Sequence, residues 1–324
     1  MALTYQDAKL LIEARLHGVD FEETLTIAHL ALFLHPGEIR NLQKTYRSQF
    51  PDSTIHPLEN YKFGETSDDF LRVFLGVSVL SIMDYSPYEG ANIVHDLNQP
   101  VPENLHSRFD AVIEAGSLEH IFNFPAAIAN LMKMVKVGGS IFIAVPANNL
   151  CGHGFYHFSP EIMFRIFTQE NGFEVKEVAL YEDLYPSTHM TSSQSVYKVT
   201  DPEKVRIRVG LISKRPVTMM VEAKRIEEID PFINPPMQSD YVELWKKDKA
   251  KLSSTSNKSD SSGENQVLES EDRAKHNSPI QIVKKMILWL IKRLPGPIRA
   301  RAYGYLEIRH FSLSNTLFYK KIDR

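Results

Sequence analysis

The chain has 324 residues, of which 43% are hydrophobic and 24% charged, and a formal net charge of −3. That length suits one large domain with an appendage or two small domains, and the charge balance excludes a generally basic, nucleic-acid-binding chain. The one cysteine, Cys151, excludes an internal disulfide framework and fits a reducing compartment.

The first stretch, MALTYQDAKLLIEARLHG, mixes apolar residues with early acids and lacks a long apolar core. It reads as an N-terminal helix over 1–20 and not as a signal peptide. No run reaches the ~20 apolar residues that span a bilayer, so the expectation is a cytoplasmic protein. From about Phe21 to Arg225, inside a domain expected over 21–250, short β-branched runs alternate with helical patterns, the mark of an α/β sheet with helices on its faces. ETLTIAH is the first expected strand, and PGEIRNLQKTYRS a helix. TSDDFLRVFLG has Thr66 or Ser67 as N-cap, acids in its first turn and Gly76 as its stop. VSVLSIMD, ANIVHDL and FDAVIEAG follow as strands two to four. PAAIANLMKMVKVGG predicts a long helix that starts at Pro125 and stops at the glycine pair. SIFIAVPAN is the fifth strand, continuously apolar as a buried parallel strand should be.

Farther on, SPEIMFRIFTQENG has a serine cap, proline at the first helical position and a terminal glycine, and FEVKEVALY alternates like a strand with one wet face. KVRIRVGLI and VTMMVEAKRI both read as extended, the second as a strand that inserts antiparallel beside the fifth. Residues 251–278 hold eight serines and almost no large apolar side chains, which predicts a flexible linker. Residues 279–324 carry ten Lys or Arg against two acids. Within them IQIVKKMILWLIKRLP suits an interfacial helix on an anionic surface, or a helix packed on a partner or on the main domain.

In an open parallel sheet, ligands sit outside the carboxyl ends of the strands. Asp84 closes the second strand and Asp96 follows the third, while Glu114–Ser117 and Ala147–Asn149 close the fourth and fifth. A carboxylate at the end of strand two can accept two hydrogen bonds from ribose hydroxyls, and the acid and amide of HDLN suit an adenine amine. Asp84 and Asp96 would equally serve as turn or helix caps. GHGFYHF, residues 152–158, packs two histidines and three aromatics into a loop, which suits a ligand wall or an aromatic plug over the sheet end.

SIMDYSPYEGANIVHDLNQPVP, then FDAVIEAGSLEHIFNFPAAIANLMKMVKVGGSIFIAVPANN, then GHGFYHFSPEIMFRIF, resembles the class I S-adenosylmethionine-dependent methyltransferases over roughly residues 21–225. In particular it is similar to a bacterial branch associated with surface-glycan gene sets. The resemblance implies a Rossmann-like, doubly wound sheet, mostly parallel with one antiparallel strand, to which the linker and the basic helical tail are appended. It implies S-adenosyl-L-methionine as cofactor, with Asp84 and its neighbour Tyr85 at the ribose and Asp96 and Leu97 at the adenine. Gly116, Ser117 and His120 would lie in the loop below the sulfonium. Asn148, Asn149 and GHGFYHF would wall the acceptor side.

The first strand departs from the family pattern, because Ala28 and His29 stand where a glycine-rich cofactor loop is expected. The implied reaction is methyl transfer to a saccharide or another small surface-glycan precursor, with His120, His153, Tyr156 and His157 as the candidates for proton transfer and orientation. No metal site is expected, since His153 and His157 share a glycine-bearing loop and not a helix face. Neither is a nucleic-acid partner, whereas the basic tail would permit peripheral contact with an inner membrane. The departure at Ala28 and His29 also admits a catalytically degenerate relative that serves as scaffold or ligand-binding partner. A nicotinamide-dependent oxidoreductase would share the acidic ribose ligand, but the Gly-x-Gly-x-x-Gly turn is missing.

Overall fold

The computed structural model of the protein describes residues 1–49, 58, 61–183, 194–256, 286–287 and 289–322. The chain opens with β1 (Ala2–Leu3) and α1 (Tyr5–Leu16). It continues through β2 (Glu23–Ile27), β3 (Ala31–Leu32) and α2 (Pro36–Thr45). Helix α3 starts as Asp68–Phe70, widens to π-type turns over Leu71–Leu75 and ends at Gly76, which adopts φ +74°. Ser67 occupies its cap position without a side-chain bond to the helix. Then come β4 (Val79–Asp84), β5 (Ile93–Val94), β6 (Phe109–Ala115), α4 (Phe124–Met134) and β7 (Val135–Asn148). The remainder is α5 (Pro160–Ile166), β8 (Phe173–Glu182), β9 (Val196–Val199), α6 (Pro202–Val205), β10 (Val217–Arg225), α7 (Ser239–Ser256), α8 (Gly296–His310) and β11 (Tyr319–Ile322).

Nine strands form one sheet in the order β11-β9-β8-β10-β7-β6-β2-β4-β5. The five from β7 to β5 pair in parallel, and β10 lies antiparallel between β7 and β8. The parallel strands lie in the order 3-2-1-4-5 when counted along the chain, so the winding reverses between β2 and β6, where open α/β sheets place ligands. The result is the doubly wound, mostly parallel α/β fold, Rossmann-like with an antiparallel strand. Both faces are covered. Along β7, Ile141, Ile143 and Val145 join the core that contains α4, whereas Phe142 joins the core that contains α1. This two-residue period, buried on both sides, is why the run SIFIAVPAN carries no polar alternation.

Helix α1 is tied down at its start, where the Thr4 backbone N–H and hydroxyl both donate to Asp7 Oδ2 at 2.8 and 2.7 Å. Most of its side chains are buried, more than its mixed sequence led one to expect.

Five sequence-based expectations are corrected. The glycine pair does not stop α4. The helix ends at Met134, and both glycines lie inside β7: Gly139 lets it approach β6, since a Cβ there would sit 2.5 Å from the Asp110 carbonyl oxygen, and Gly138 takes the left-handed region at φ +91°. Of ANIVHDL only Ile93–Val94 pairs, as an edge strand. KVRIRVGLI is not a strand. It begins in α6, capped by Asp201, and leaves it at Arg206 in the left-handed region, while the free edge of β9 is taken by β11. That last pairing also means that the basic segment 279–324 is not a separate tail throughout, since Tyr319–Ile322 extends the main sheet. The expected linker 251–278 begins inside α7, which runs to Ser256, and its residues 257–278 lie outside the described residues. Of IQIVKKMILWLIKRLP, only 286–287 and 289–295 are described.

Arg225 closes the side of the fold remote from the strand ends. Its guanidinium, 3% exposed, donates to the Val135 carbonyl at 2.6 Å, the Ser107 hydroxyl at 3.0 Å and the Lys133 carbonyl at 3.3 Å. These carbonyls belong to the C-terminus of α4, which has no helical donors left for them and carries partial negative charge. Arg225→Met should therefore remove the guanidinium from the Val135 carbonyl, the Lys133 carbonyl keeping the Ser107 N–H at 2.8 Å, and lower stability by about 1–3 kcal/mol. Urea unfolding of the two proteins, compared at equal slope, measures the loss.

Candidate functional site

The carboxyl ends of β2, β4, β6 and β7 surround two adjoining cavities, of about 390 Å³ and about 360 Å³. Met1 and His120 border both.

The larger cavity is lined by Asp84 and Tyr85, by Asp96, Leu97 and Asn98, and by Ala28, Ser117 and His120. Asp84 is fixed by accepting the Tyr85 backbone N–H at 2.5 Å. The Asp96 loop is held from below by a buried amide on α4. Asn130 donates to the carbonyls of Leu97 and Gln99 and accepts from the Val101 N–H. Asp96 itself accepts from the Asn98 side-chain and backbone N–H groups, which hold its carboxyl below the usual carboxylate range. The hydroxyl of Ser117 is buried without a hydrogen-bond partner. A donor left in this state at a cavity wall suits a bound polar ligand.

At the end of β2 the chain turns with Ala28 at φ +64°, its N–H bonded to the Met83 carbonyl at 2.7 Å. The left-handed turn that glycine would favour is thus made by alanine, and two partners fix the residue that follows. His29 meets Asp68 with Nε2 at 2.9 Å and the Glu89 carbonyl with Nδ1 at 2.6 Å. Burial works against the protonated ring, but the Glu89 carbonyl and Asp68 outweigh it and raise its pKa. His29 is therefore a clamp on its own loop and does not border either cavity, which corrects its expected place beside the cofactor.

The smaller cavity takes Gly116, Glu119, His120 and His153 from the strand-end loops, Thr4 and Asp7 from the start of α1, and Tyr181, Asp183 and Thr218 from β8, its end and β10. Its organising residue is Glu114, the last but one of β6. The buried carboxyl accepts the backbone N–H groups of Ser117 and Leu118, the latter at 3.1 Å, and so folds 114–118 into a tight return. The following turn, Leu118–His120, points Glu119 inward and His120 outward. Burial, with Glu119 nearby, pushes the Glu114 carboxyl up to about 8, and burial raises Glu119 as well.

The loop after β7 then closes on Glu119. Gly154 (φ +75°) packs so tightly that a Cβ there would lie 2.7 Å from the Glu119 carbonyl oxygen, and that oxygen accepts from Phe155 N–H at 2.6 Å. This approach brings His153 Nε2 to 3.3 Å from Glu119 Oε1 and its ring edge-on to His120 at 5.2 Å.

Of the expected proton-transfer residues, His120 and His153 border the smaller cavity, and Tyr156 and His157 do not. The Tyr156 hydroxyl donates to the Phe122 carbonyl at 2.6 Å while its ring packs against Phe124 and Phe158, and His157 is exposed outside the cavity. The left-handed backbone at Gly152 and Gly154 gives each of these neighbours a different direction. Thr4, Asp7, Tyr181, Asp183 and Thr218 were not anticipated. The Thr-x-x-Asp capping pattern at 4–7 was a legible signal for the first pair. The others lie in strand sequence that does not distinguish them.

No family model matches the sequence, and no curated protein matches it. Solved structures with a similar backbone include a Bacillus halodurans protein named as a methyltransferase, at 11% identity and a TM-score of 0.36, covering 68% of this chain and 99% of that one. Another is the Burkholderia thailandensis 1,6-didemethyltoxoflavin-N1-methyltransferase with bound 1,6-didemethyltoxoflavin and S-adenosylhomocysteine, at 10% identity and a TM-score of 0.34, covering 69% of this chain and 78% of that one. A third is a Rhodobacter sphaeroides protein named as a zinc-dependent alcohol dehydrogenase, at 12% identity and a TM-score of 0.28, covering 68% and 89%. Values of this size concern the backbone alone and decide no chemistry.

A carboxyl with its pKa raised in the folded state holds a proton that the unfolded chain has released. Between pH ~5 and ~8 the folded state binds more protons, and stability falls as pH rises. Glu114→Gln keeps an oxygen able to accept but cannot ionise. Its unfolding free energy should be flatter over that window than the wild type's, as urea titrations at four or five pH values would show.

Proposed function

We propose that the protein is an S-adenosylmethionine-dependent methyltransferase whose acceptor is a small hydroxylated molecule, such as a saccharide or another surface-glycan precursor. The observation that supports it is the joined pair of cavities at the sheet's switch point. One is bordered by Asp84 at the end of β4 and by Asp96–Asn98, and the other is lined by polar groups from five separate parts of the chain. Asp84 would hold the ribose hydroxyls, Asp96 and Asn98 the adenine edge with Leu97 against its face, and the unpartnered Ser117 hydroxyl a polar group between. S-adenosylmethionine supplies, when bound, an electrophilic methyl group on a sulfonium.

The chain's own part is alignment and proton removal. His120 stands where the two cavities meet, and the Glu119–His153 pair lies beside it, so a hydroxyl placed there can give its proton to an imidazole whose charge Glu119 offsets. Thr4, Tyr181, Asp183 and Thr218 would orient the acceptor's remaining hydroxyls. The glycan class rests on the sequence resemblance, and the polarity of the wall is compatible with it.

A second element of the proposal is peripheral contact of the basic C-terminal segment with an anionic membrane. Helix α8 exposes Ile298, Tyr305 and Ile308 together with Arg299, Arg301 and Arg309, the composition of an interfacial helix. Among the described residues, no helix is long and apolar enough to cross a membrane.

Calorimetric titration with S-adenosylmethionine and S-adenosylhomocysteine tests the cofactor site. Wild-type protein should bind both at micromolar concentrations, and Asp84→Ala should weaken binding by about tenfold to a hundredfold through loss of two charge-assisted hydrogen bonds. Absence of heat and of thermal shift at millimolar ligand would instead favour a non-catalytic ligand-binding or scaffold role.

A further inference from the structure

Glu119, His120 and His153 come from two loops that are far apart in the chain, yet one ligand-capable atom of each lies within 4.8 Å of those of the other two. Two imidazoles and a carboxylate form a donor set typical of zinc and other divalent transition metals. The Glu119–His153 spacing and the separation of the two rings also match. Ligands bound at about 2.0–2.1 Å around a tetrahedral ion lie about 3.3 Å from one another, and two such imidazole rings have centres about 5 Å apart. The structure has Glu119 Oε1 3.3 Å from His153 Nε2 and 5.2 Å between the His120 and His153 ring centres.

A second observation concerns Glu119 itself. Its residue is 1% exposed, it borders the cavity, and its Oε2 has no hydrogen-bond partner in the protein. Buried carboxylate oxygens are otherwise satisfied by donors, by water or by a cation. None of the nearby side chains supplies a lysine or arginine to this cavity. His153 is held towards Glu119 by backbone, through the close packing of Gly154 on the Glu119 main chain, so the approach does not depend on a weak exposed ion pair.

We infer that Glu119, His120 and His153 form a binding site for one divalent transition-metal ion, with zinc the best match, at the mouth of the smaller cavity. Three protein ligands leave at least one coordination position open, in a cavity that Tyr181, Asp183 and Thr218 also line. The site does not depend on methyl transfer; only its use does. If the cavity takes a hydroxylated acceptor, the ion would bind the acceptor oxygen and lower its pKa so that its proton passes to solvent, and in the metal-loaded protein the two histidines would be ligands in place of the base role proposed above.

The test uses the full chain, stripped with a chelator and titrated with zinc chloride by calorimetry. One equivalent should bind with micromolar or tighter affinity. His120→Ala/His153→Ala, a change at two exposed side chains that leaves the fold intact by circular dichroism, should lose roughly a hundredfold or more, and Glu119→Gln should also lose affinity. His157→Ala, four residues along the same loop, should bind as the wild type does. Cobalt added in place of zinc should give a visible absorption band in the wild type that is missing from the double variant. Equal zinc affinity in the wild type and the double variant, or no binding by either, would overturn the assignment. Because no methyl donor or acceptor is present, the result is independent of whether the protein binds S-adenosylmethionine.

Discussion

The buried carboxyl of Glu114 is the constraint on which the candidate site depends. Strand β6 ends beside β2, at the point where the sheet's winding reverses, and the chain must leave without blocking the space above. By accepting the N–H groups of Ser117 and Leu118, Glu114 returns the chain within four residues. A donor pair from the backbone is what makes a carboxyl tolerable in this position, since burial without partners costs several kcal/mol. From that return follow the position of Ser117 in one cavity, of Glu119 in the other and of His120 between them.

Other elements meet this turn by backbone contact. The loop after β7 uses Gly154 to lie against the Glu119 main chain, so its histidine is delivered to a fixed place although the loop itself is exposed. On the opposite side, Asn130 of α4 keeps the Asp96 loop at the cavity by satisfying two of its carbonyls and one of its N–H groups. The β2 loop is made without glycine: Ala28 accepts the left-handed conformation, and His29 ties the loop to Asp68 and the Glu89 carbonyl. A strained residue persists where surrounding bonds over-determine it, and here three such bonds do so.

Much of the fold was legible because its signals are local. The apolar runs of β2, β4, β6 and β7 and the proline starts of α4 and α5 each reflect a backbone preference or burial within a few residues. The antiparallel insertion of β10 was legible too, from its apolar run. The misreadings share a cause. The glycine pair after α4 looked like a helix stop because glycine often is one, but here Gly139 answers a close approach by Asp110, which comes from β6, and Gly138 takes φ +91°. KVRIRVGLI had strand-like alternation, but the edge of β9 is taken by β11, which comes back from the C-terminus. At the site, GHGFYHF signalled a functional loop, but its left-handed glycines decide that His153 faces Glu119 while His157 does not, and a periodicity argument has no access to that choice.

The sequence by itself determined the α/β class, the helices and strands with strong local patterns, and the position of polar residues at strand ends, since hydrophobic period and backbone propensity act over short spans. It also made Asp84, Asp96 and the LEH turn visible as candidates. Only the tertiary structure decided that Thr4, Asp7, Tyr181, Asp183 and Thr218 share a cavity with Glu119, that His29 clamps a loop, and that two histidines and a carboxylate converge. Those facts depend on contacts between residues distant in the chain, and each is set by the angle at which a whole element packs, which no short stretch of sequence encodes.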